Sequence, residues 1–307
     1  MTTKPKVALE IPLGKAFEQK LVDRYEIVPG ASAREGVRAL VTIGAIETGG
    51  ARMDALPDLG LICCFGSGYE GIDLAAAKAR GIKVANSVGA NASAVADLAV
   101  ALLLAAMRKV VAGDRLVRSG EWRGSNASSL LFLPGLAGRR IGVLGLGAIG
   151  EKIAERLAAF ETEIGYHSRK PKSGSLYRYF DSLKAMAEWA DVLMIAHRAD
   201  ETNRHMVNAE VLSALGADGF VVNISRGSAI DEDALVAALK DRRIAGAGLD
   251  VFEGEPDVRA DLRALDNVAM TPHLGGGTRE ALGAMSDAVV ANIDAFFAGK
   301  PLPNPVI

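Results

Sequence analysis

Apolar residues fall along the chain in two spacings. Short continuous apolar runs occupy residues 6–10, 25–28, 39–42, 59–65 and 83–85, with helical stretches such as 15–22 and 74–80 between them. A second series opens at Arg140, with runs at 141–145, 162–167, 191–196, 220–224, 245–250 and 268–271 and helical stretches at 148–159, 209–215 and 232–240. Runs that stay apolar without alternating belong to strands covered on both faces, and with helices between them they predict parallel sheets. The predicted class is therefore α/β, with two doubly wound parallel-sheet domains. Residues 93–111 are apolar almost all round and predict one fully buried helix between domains or subunits. A last helix over about 278–297 is long enough to carry the chain back to the first domain. Residues 1–97 and 284–307 are thus expected to form one domain and 98–283 a second, inserted one.

Composition narrows the picture. The 307 residues suit two domains, and apolar residues at 50% with charged ones at 23% place the chain in the globular range. The net charge of −2 is spread without a block of one sign, which argues against nucleic acid or an anionic membrane surface as partner. The most apolar stretch, Ala92–Met107, is interrupted by Asp97 and falls short of the roughly 20 residues that span a bilayer. Cys63 and Cys64 are the only cysteines. As strand neighbours they point to opposite faces, so no bridge between them is expected. Two buried thiols, and no apolar signal core after Met1-Thr2-Thr3-Lys4-Pro5-Lys6, predict a cytoplasmic location. No metal-ligand spacing is present, so no metal is expected.

The chemistry begins at Gly145-Leu146-Gly147-Ala148-Ile149-Gly150, which follows a predicted strand and opens a predicted helix. In that setting each glycine has a mechanical role. Gly145 makes the tight turn, Gly147 lets a pyrophosphate approach the backbone, and Gly150 allows helix to pack on strand. Ala148 and Ile149 complete the loop, whose free N–H groups and helix dipole hold the anion. A phosphate loop of nucleotide hydrolases needs Lys and Ser or Thr after the last glycine, whereas Gly150 is followed by Glu151-Lys152-Ile153. A dinucleotide remains. Roughly 20 residues on, an NAD site carries an acid for the ribose hydroxyl. Here the strand ends in His167-Ser168-Arg169-Lys170, then Pro171-Lys172. Ser168 can donate to a 2′-phosphate, Arg169 offers a planar guanidinium, and Lys170 and Lys172 add positive potential. NADP is predicted over NAD.

Three further segments stand at strand carboxyl ends, where open parallel sheets place ligand sites: Asn223-Ile224-Ser225-Arg226-Gly227, the run from Leu249-Asp250 to Glu255-Pro256, and Thr271-Pro272-His273-Leu274-Gly275-Gly276. Together with the glycine loop, Phe65-Gly66-Ser67-Gly68-Tyr69-Glu70-Gly71-Ile72-Asp73 and Val95-Ala96-Asp97-Leu98-Ala99, the chain resembles the D-isomer-specific 2-hydroxyacid dehydrogenases over nearly its whole length. Within that family it is most similar to the NADP-dependent glyoxylate, hydroxypyruvate and hydroxyphenylpyruvate reductases. The resemblance implies a Rossmann cofactor domain inserted into a flavodoxin-like substrate domain, and NADPH-dependent reduction of small 2-keto acids to D-2-hydroxy acids. His273 matches the family's general acid, Glu255 the carboxylate that orients it, and Arg226 the cation that grips the substrate carboxylate. Such chemistry fits the residue types, because an imidazole exchanges protons near neutral pH and a guanidinium is always charged.

The same resemblance implies that Ala196, His197, Ile224, Ser225, Arg226, Asp250, His273 and Gly275 line the cofactor cleft. Residues 197–202 depart from the family here, reading His-Arg-Ala-Asp-Glu-Thr where a proline–leucine–threonine run is common. On the substrate side it implies a carboxylate-holding loop at Gly66, Ser67 and Gly68, whose amides can form an anion nest. A small or apolar lining at Ile43-Gly44-Ala45-Ile46 and a homodimer in which Leu130-Leu131-Phe132 reaches the neighbour's pocket complete the expectation, with Ile46, Arg226 and His273 touching substrate. His167 is placed near the adenosine and His205 is read as structural. Two other readings share the fold: a dinucleotide-sensing corepressor and an NAD-dependent phosphoglycerate-type dehydrogenase.

Overall fold

The computed structural model describes residues 4–32 and 34–307, apart from the side chains of Ser125, Ser129 and Glu201; Met1, Thr2, Thr3 and Ala33 lie outside it. The chain divides into two units, one built from residues 4–91 and 276–307 and the other from 92–275.

The first unit runs β1 (Lys6–Leu9), α1 (Lys15–Gln19), β2 (Glu26–Pro29), β3 (Val37–Thr42), α2 (Gly50–Asp54), β4 (Leu61–Cys64), α3 (Leu74–Ala79) and β5 (Lys83–Ala85). Its strands are all parallel in the order β2-β1-β3-β4-β5, the flavodoxin-like arrangement. The period of two sorts the apolar runs onto two faces. Ala8, Leu40, Ile62 and Val84 pack beneath Met53, Leu56 and Ala77, whereas Val7, Leu9, Val41, Leu61 and Cys63 pack beneath Phe17, Val289 and Ile293. Cys63 and Cys64 therefore fall into different clusters, and burial pushes the Cys64 thiol up to about 12. The free side of β5 is closed by residues 304–307, with Val306 N–H donating to Val84 O at 2.7 Å and an antiparallel bridge between Ala85 and Pro305.

The second unit runs α4 (Ala92–Met107), α5 (Val110–Arg118), β6 (Arg140–Leu144), α6 (Ala148–Ala158), β7 (Glu163–His167), β8 (Arg178–Phe180), α7 (Leu183–Trp189), β9 (Val192–Ile195), α8 (Ala209–Leu215), β10 (Phe220–Asn223), α9 (Glu232–Lys240), β11 (Gly246–Leu249), α10 (Ala260–Arg263) and β12 (Val268–Met270). The seven strands are parallel in the order β12-β11-β10-β9-β6-β7-β8. The direction of winding reverses between β6 and β9, the Rossmann switch point. α11 (Arg279–Phe297) then returns to the first unit, where its Val289 and Ile293 complete one core. No helix among the described residues is long and apolar enough to cross a membrane.

Three expectations change. The helix expected over 93–111 is broken: α4 ends at Met107, Lys109 takes a left-handed conformation (φ 47°), and α5 sets off separately with none of its residues buried. The domain boundaries expected at 97/98 and 283/284 fall inside α4 and α11. Each helix packs as one piece, α4 so close to the second sheet that a Cβ on Gly248 of β11 would lie 2.9 Å from Leu102 Cβ, and the division comes at 91/92 and 275/276 instead. The strand β8 is an addition to the expected set, being three residues long at the sheet edge.

Candidate active site

The glycine loop leaves the carboxyl end of β6 at the switch point. Gly145 has φ 94°, and a Cβ there would stand 2.5 Å from His197 Cα; a Cβ on Gly150 would stand 2.0 Å from Gly145 O. Those two glycines are required by the protein itself. Gly147 is different: nothing lies within 4 Å of where its Cβ would be. It is the N-cap of α6 and makes no side-chain capping bond, so no side chain of its own satisfies the first-turn amides that open the helix at Ala148 and Ile149. A cavity of about 930 Å³ adjoins the loop and is also lined by His167, Ser168, Arg169, Lys170, Lys172, Ala196 and His197.

The expected cofactor residues divide by what they already hold. Leu146 N–H donates to Ser168 Oγ at 3.1 Å, which ties the glycine loop to the end of β7 and leaves the hydroxyl proton to donate elsewhere. Arg169 and Lys170 are exposed. Lys172, expected to add positive potential, pairs with Glu151 of α6 at 2.6 Å while also lining the cavity. His167 Nδ1 is 2.9 Å from Phe180 O, which fixes its ring against β8. Both ring nitrogens of His197 are shut off from solvent without a hydrogen-bond partner. The nearby Asn203 amide is spent on Arg198 O (3.0 Å) and Asp200 N–H (2.9 Å). Burial holds the His197 imidazole below its ordinary range against the opposing pull of Asn203 and Asp200. An orphaned buried imidazole, an unobstructed backbone at Gly147 and exposed cations around one cavity are what a dinucleotide with phosphate groups would satisfy.

Two strand ends away, β10 closes on buried Asn223, whose side chain accepts from Ser225 N–H (3.0 Å) and donates to Arg226 O (2.8 Å). Ser225 Oγ in turn donates to His197 O at 2.5 Å, so the loop after β10 is bound to the cofactor-side loop. Half-buried Arg226 follows, with one guanidinium N–H on Ser225 O at 2.7 Å. Ile224 and Ser225 are buried, and Ala196 is half-buried.

Asp250, at the end of β11, is 1% exposed and takes Thr271 Oγ1 (2.6 Å), Leu274 N–H (2.7 Å) and Gly275 N–H (2.8 Å). It thereby shapes residues 271–275, the loop that presents His273. The His273 ring meets Glu255, with Nδ1 2.8 Å from Oε2, while the other carboxylate oxygen accepts Phe252 N–H at 2.8 Å. The bond to Glu255 outweighs desolvation and raises His273 above its ordinary value; the Arg226 charge opposes that and Asp250 adds to it. Burial opposes charge on Glu255, but His273, the Phe252 amide and Arg226 outweigh it and hold the carboxyl below its usual range. An ionised Glu255 facing Nδ1 calls for a proton there, so Nε2 is the nitrogen left to exchange protons.

In the first unit, Gly66 (φ 120°) follows β4 with open space where a Cβ would point. Ser67 Oγ bonds Asn91 Oδ1 at 3.0 Å, and Asn86 donates to Ser67 O at 2.8 Å. The Gly66–Gly68 turn interlocks with the segment after β3: Cβ atoms on Gly44 and Gly71 would lie 2.6 Å from Gly68 C and 2.4 Å from Ile46 O. Asn223 and Thr271 open two of the segments picked out in the sequence without a role of their own there; the structure shows their side chains bonded within the Arg226 and His273 loops. A polar residue near the end of each apolar run, Asn223 in 220–224 and Thr271 in 268–271, is the available signal.

Residues 100–275 match the family described as D-isomer specific 2-hydroxyacid dehydrogenase, NAD binding domain. A hydroxyphenylpyruvate reductase of Plectranthus scutellarioides is 37% identical over 311 residues, covering 98% of both chains. A 2-ketogluconate reductase of Gluconobacter oxydans is 37% identical over 313 residues and all of both chains. Among solved structures, an NADPH-dependent glyoxylate/hydroxypyruvate reductase from Sinorhizobium meliloti, in complex with NADP and malonate, aligns with a TM-score of 0.91 at 37% identity, covering 99% of this chain and 97% of that one.

Proposed function

The chain belongs to the D-isomer specific 2-hydroxyacid dehydrogenases, and from that membership we propose that it reduces small 2-keto acids with NADPH, using Arg226, Glu255 and His273. Its relatives carry the names of reductases of hydroxyphenylpyruvate, glyoxylate, hydroxypyruvate and 2-ketogluconate, which supports 2-keto acid reduction as the reaction class. The observation that carries the residue assignment is the 2.8 Å pair between His273 Nδ1 and Glu255 Oε2, with the imidazole raised toward its protonated form.

When bound, the reduced dinucleotide supplies the hydride for the keto carbon. His273 donates its Nε2 proton to the keto oxygen, a contribution worth about 10²–10⁴ in rate. Glu255 stays ionised beside the ring and stabilises the imidazolium until that proton leaves. Arg226 receives the substrate carboxylate in its planar fork. Gly66, Ser67, Gly68 and Ile46 keep in this reading the substrate-binding role that the family resemblance implies, with Gly66 at φ 120° and open space where its Cβ would point.

The preference for NADPH rests on Ser168 and on the exposed cations Arg169 and Lys170. It is tested by steady-state kinetics with glyoxylate, hydroxypyruvate, pyruvate and phenylpyruvate, using NADPH and NADH in parallel on the wild type and Arg169→Glu. The variant is expected to raise KM for NADPH by about 10- to 100-fold, the worth of one charge-assisted bond, and to leave KM for NADH nearly unchanged. Equal effects on both cofactors would dispose of the assignment.

The same reading includes a homodimer and a cytoplasmic location. The dimer is supported by large apolar side chains left open on the second unit: Val110, Val111, Val117, Trp122, Leu131 and Phe132 are between 46% and 102% exposed. The location is supported by two buried reduced cysteines.

A further inference from the structure

We propose that Glu232 is a positioning residue that sets the place of Glu255 against His273, an inference that rests on the roles given to that pair above. Glu232 is the first residue of α9 yet is 8% exposed, an expensive place for a carboxylate. The helix does not need it there, because Asp231 already caps α9 by accepting Ala234 N–H at 3.0 Å. Its oxygen is used elsewhere: Oε1 accepts the N–H of Glu253 at 2.7 Å.

Glu253 lies in the turn that presents Glu255. Phe252 N–H bonds Glu255 Oε1 and the next amide bonds Glu232, so two successive amides of the turn end on carboxylates, one local and one on α9. The Glu253 side chain is held in turn by Arg204 and by His205 Nε2 at 2.8 Å, while His205 N–H bonds Ser228 O at 2.7 Å. Gly227 presses on the same turn, since a Cβ there would lie 2.0 Å from Phe252 C. The loop bearing Arg226 and the turn bearing Glu255 thus meet at one point, and Glu232 is the buried group that fastens the turn to the scaffold. The groups facing Glu232 are Glu253 and Asp233, which oppose its charge, and Arg259, which favours it; those facing His273 are Glu255, Arg226 and Asp250.

The test compares Glu232→Asp, which withdraws the acceptor by one methylene, with Glu232→Gln, whose amide oxygen can still accept the Glu253 N–H. The His273 titration midpoint is read by NMR on the histidine-labelled protein as isolated, and kcat, KM and their pH profiles are measured with NADPH and hydroxypyruvate. In Glu232→Asp the midpoint is expected to fall toward the ordinary value of about 6.5. Its kcat is expected to fall about 10- to 100-fold, the cost of a misplacement near 1 Å, with KM little changed. Glu232→Gln should keep both the wild-type midpoint and kcat within about twofold. If His273 titrates alike in all three proteins, the proposal is overturned, even where Glu232→Asp is less stable or slower, because a merely structural role would leave the midpoint in place. If the midpoint moves in Glu232→Asp while no 2-keto acid is turned over by the wild type, the positioning role stands and the reductase reading fails.

Discussion

His273 holds φ at 53°, a left-handed conformation that costs a non-glycine residue about 1–3 kcal/mol. Asp250 offsets that strain, gathering one hydroxyl and two amides from the loop on either side of the imidazole. The loop is therefore held by the Asp250 carboxylate and the ring by Glu255. His273→Gln keeps the size of the side chain and removes the exchangeable proton, so kcat is expected to drop by about 10²–10⁴ while NADPH, read by fluorescence titration, still binds. The pH dependence follows from the direction of the shift. His273 is raised, so its donor form persists above the ordinary histidine range and reduction falls only as pH passes that raised midpoint. Glu255→Gln removes the group that raises it, and the basic limb of the reduction profile should move to lower pH. A limb that stays in place would show that His273 is not the proton donor.

At the scale of elements, the glycine loop separates two kinds of necessity. Gly150→Ala drives a methyl group toward Gly145 O, and its thermal midpoint should fall by the equivalent of about 1–3 kcal/mol. Gly147→Ala meets no protein atom, so the fold should be untouched and only dinucleotide binding weakened. Calorimetry paired with NADPH titration distinguishes the two; a Gly147→Ala protein with full affinity would mean that no phosphate approaches that backbone. Much of this was legible in the sequence, because buried parallel strands, glycine spacing and residues at strand ends are local signals. The break between α4 and α5 was not, since Lys109, which takes the left-handed conformation there, carries no breaker's signature. Nor was β8, whose Phe180 is placed by packing against Trp189 and against Gly165 of β7. The Lys172–Glu151 pair and the Glu232–Glu253 bond join residues about 20 positions apart, and only the folded sheet brings each together.

At the scale of the whole molecule, two features remain open to other chains and to time. The first is the set of exposed apolar side chains on α5 and at Trp122, Leu131 and Phe132, which the proposed dimer would cover. Val117→Asp should leave thermal stability near that of the wild type and halve the mass seen by light scattering at micromolar concentration. A wild type that runs as a single chain under those conditions would remove the dimer from the account. The second is the discontinuity of the first unit, whose five strands are complete by Ala85 but whose Val289 and Ile293 belong to α11. During translation the entire inserted unit is made between them, a delay of roughly 10–40 s at ~5–20 residues per second. Through that interval the nascent sheet keeps Val7, Val41 and Leu61 on a face still waiting for its cover. The inserted unit, continuous in the chain, can finish first, which leaves the amino-terminal segment as the part a ribosome-bound chaperone has most reason to hold.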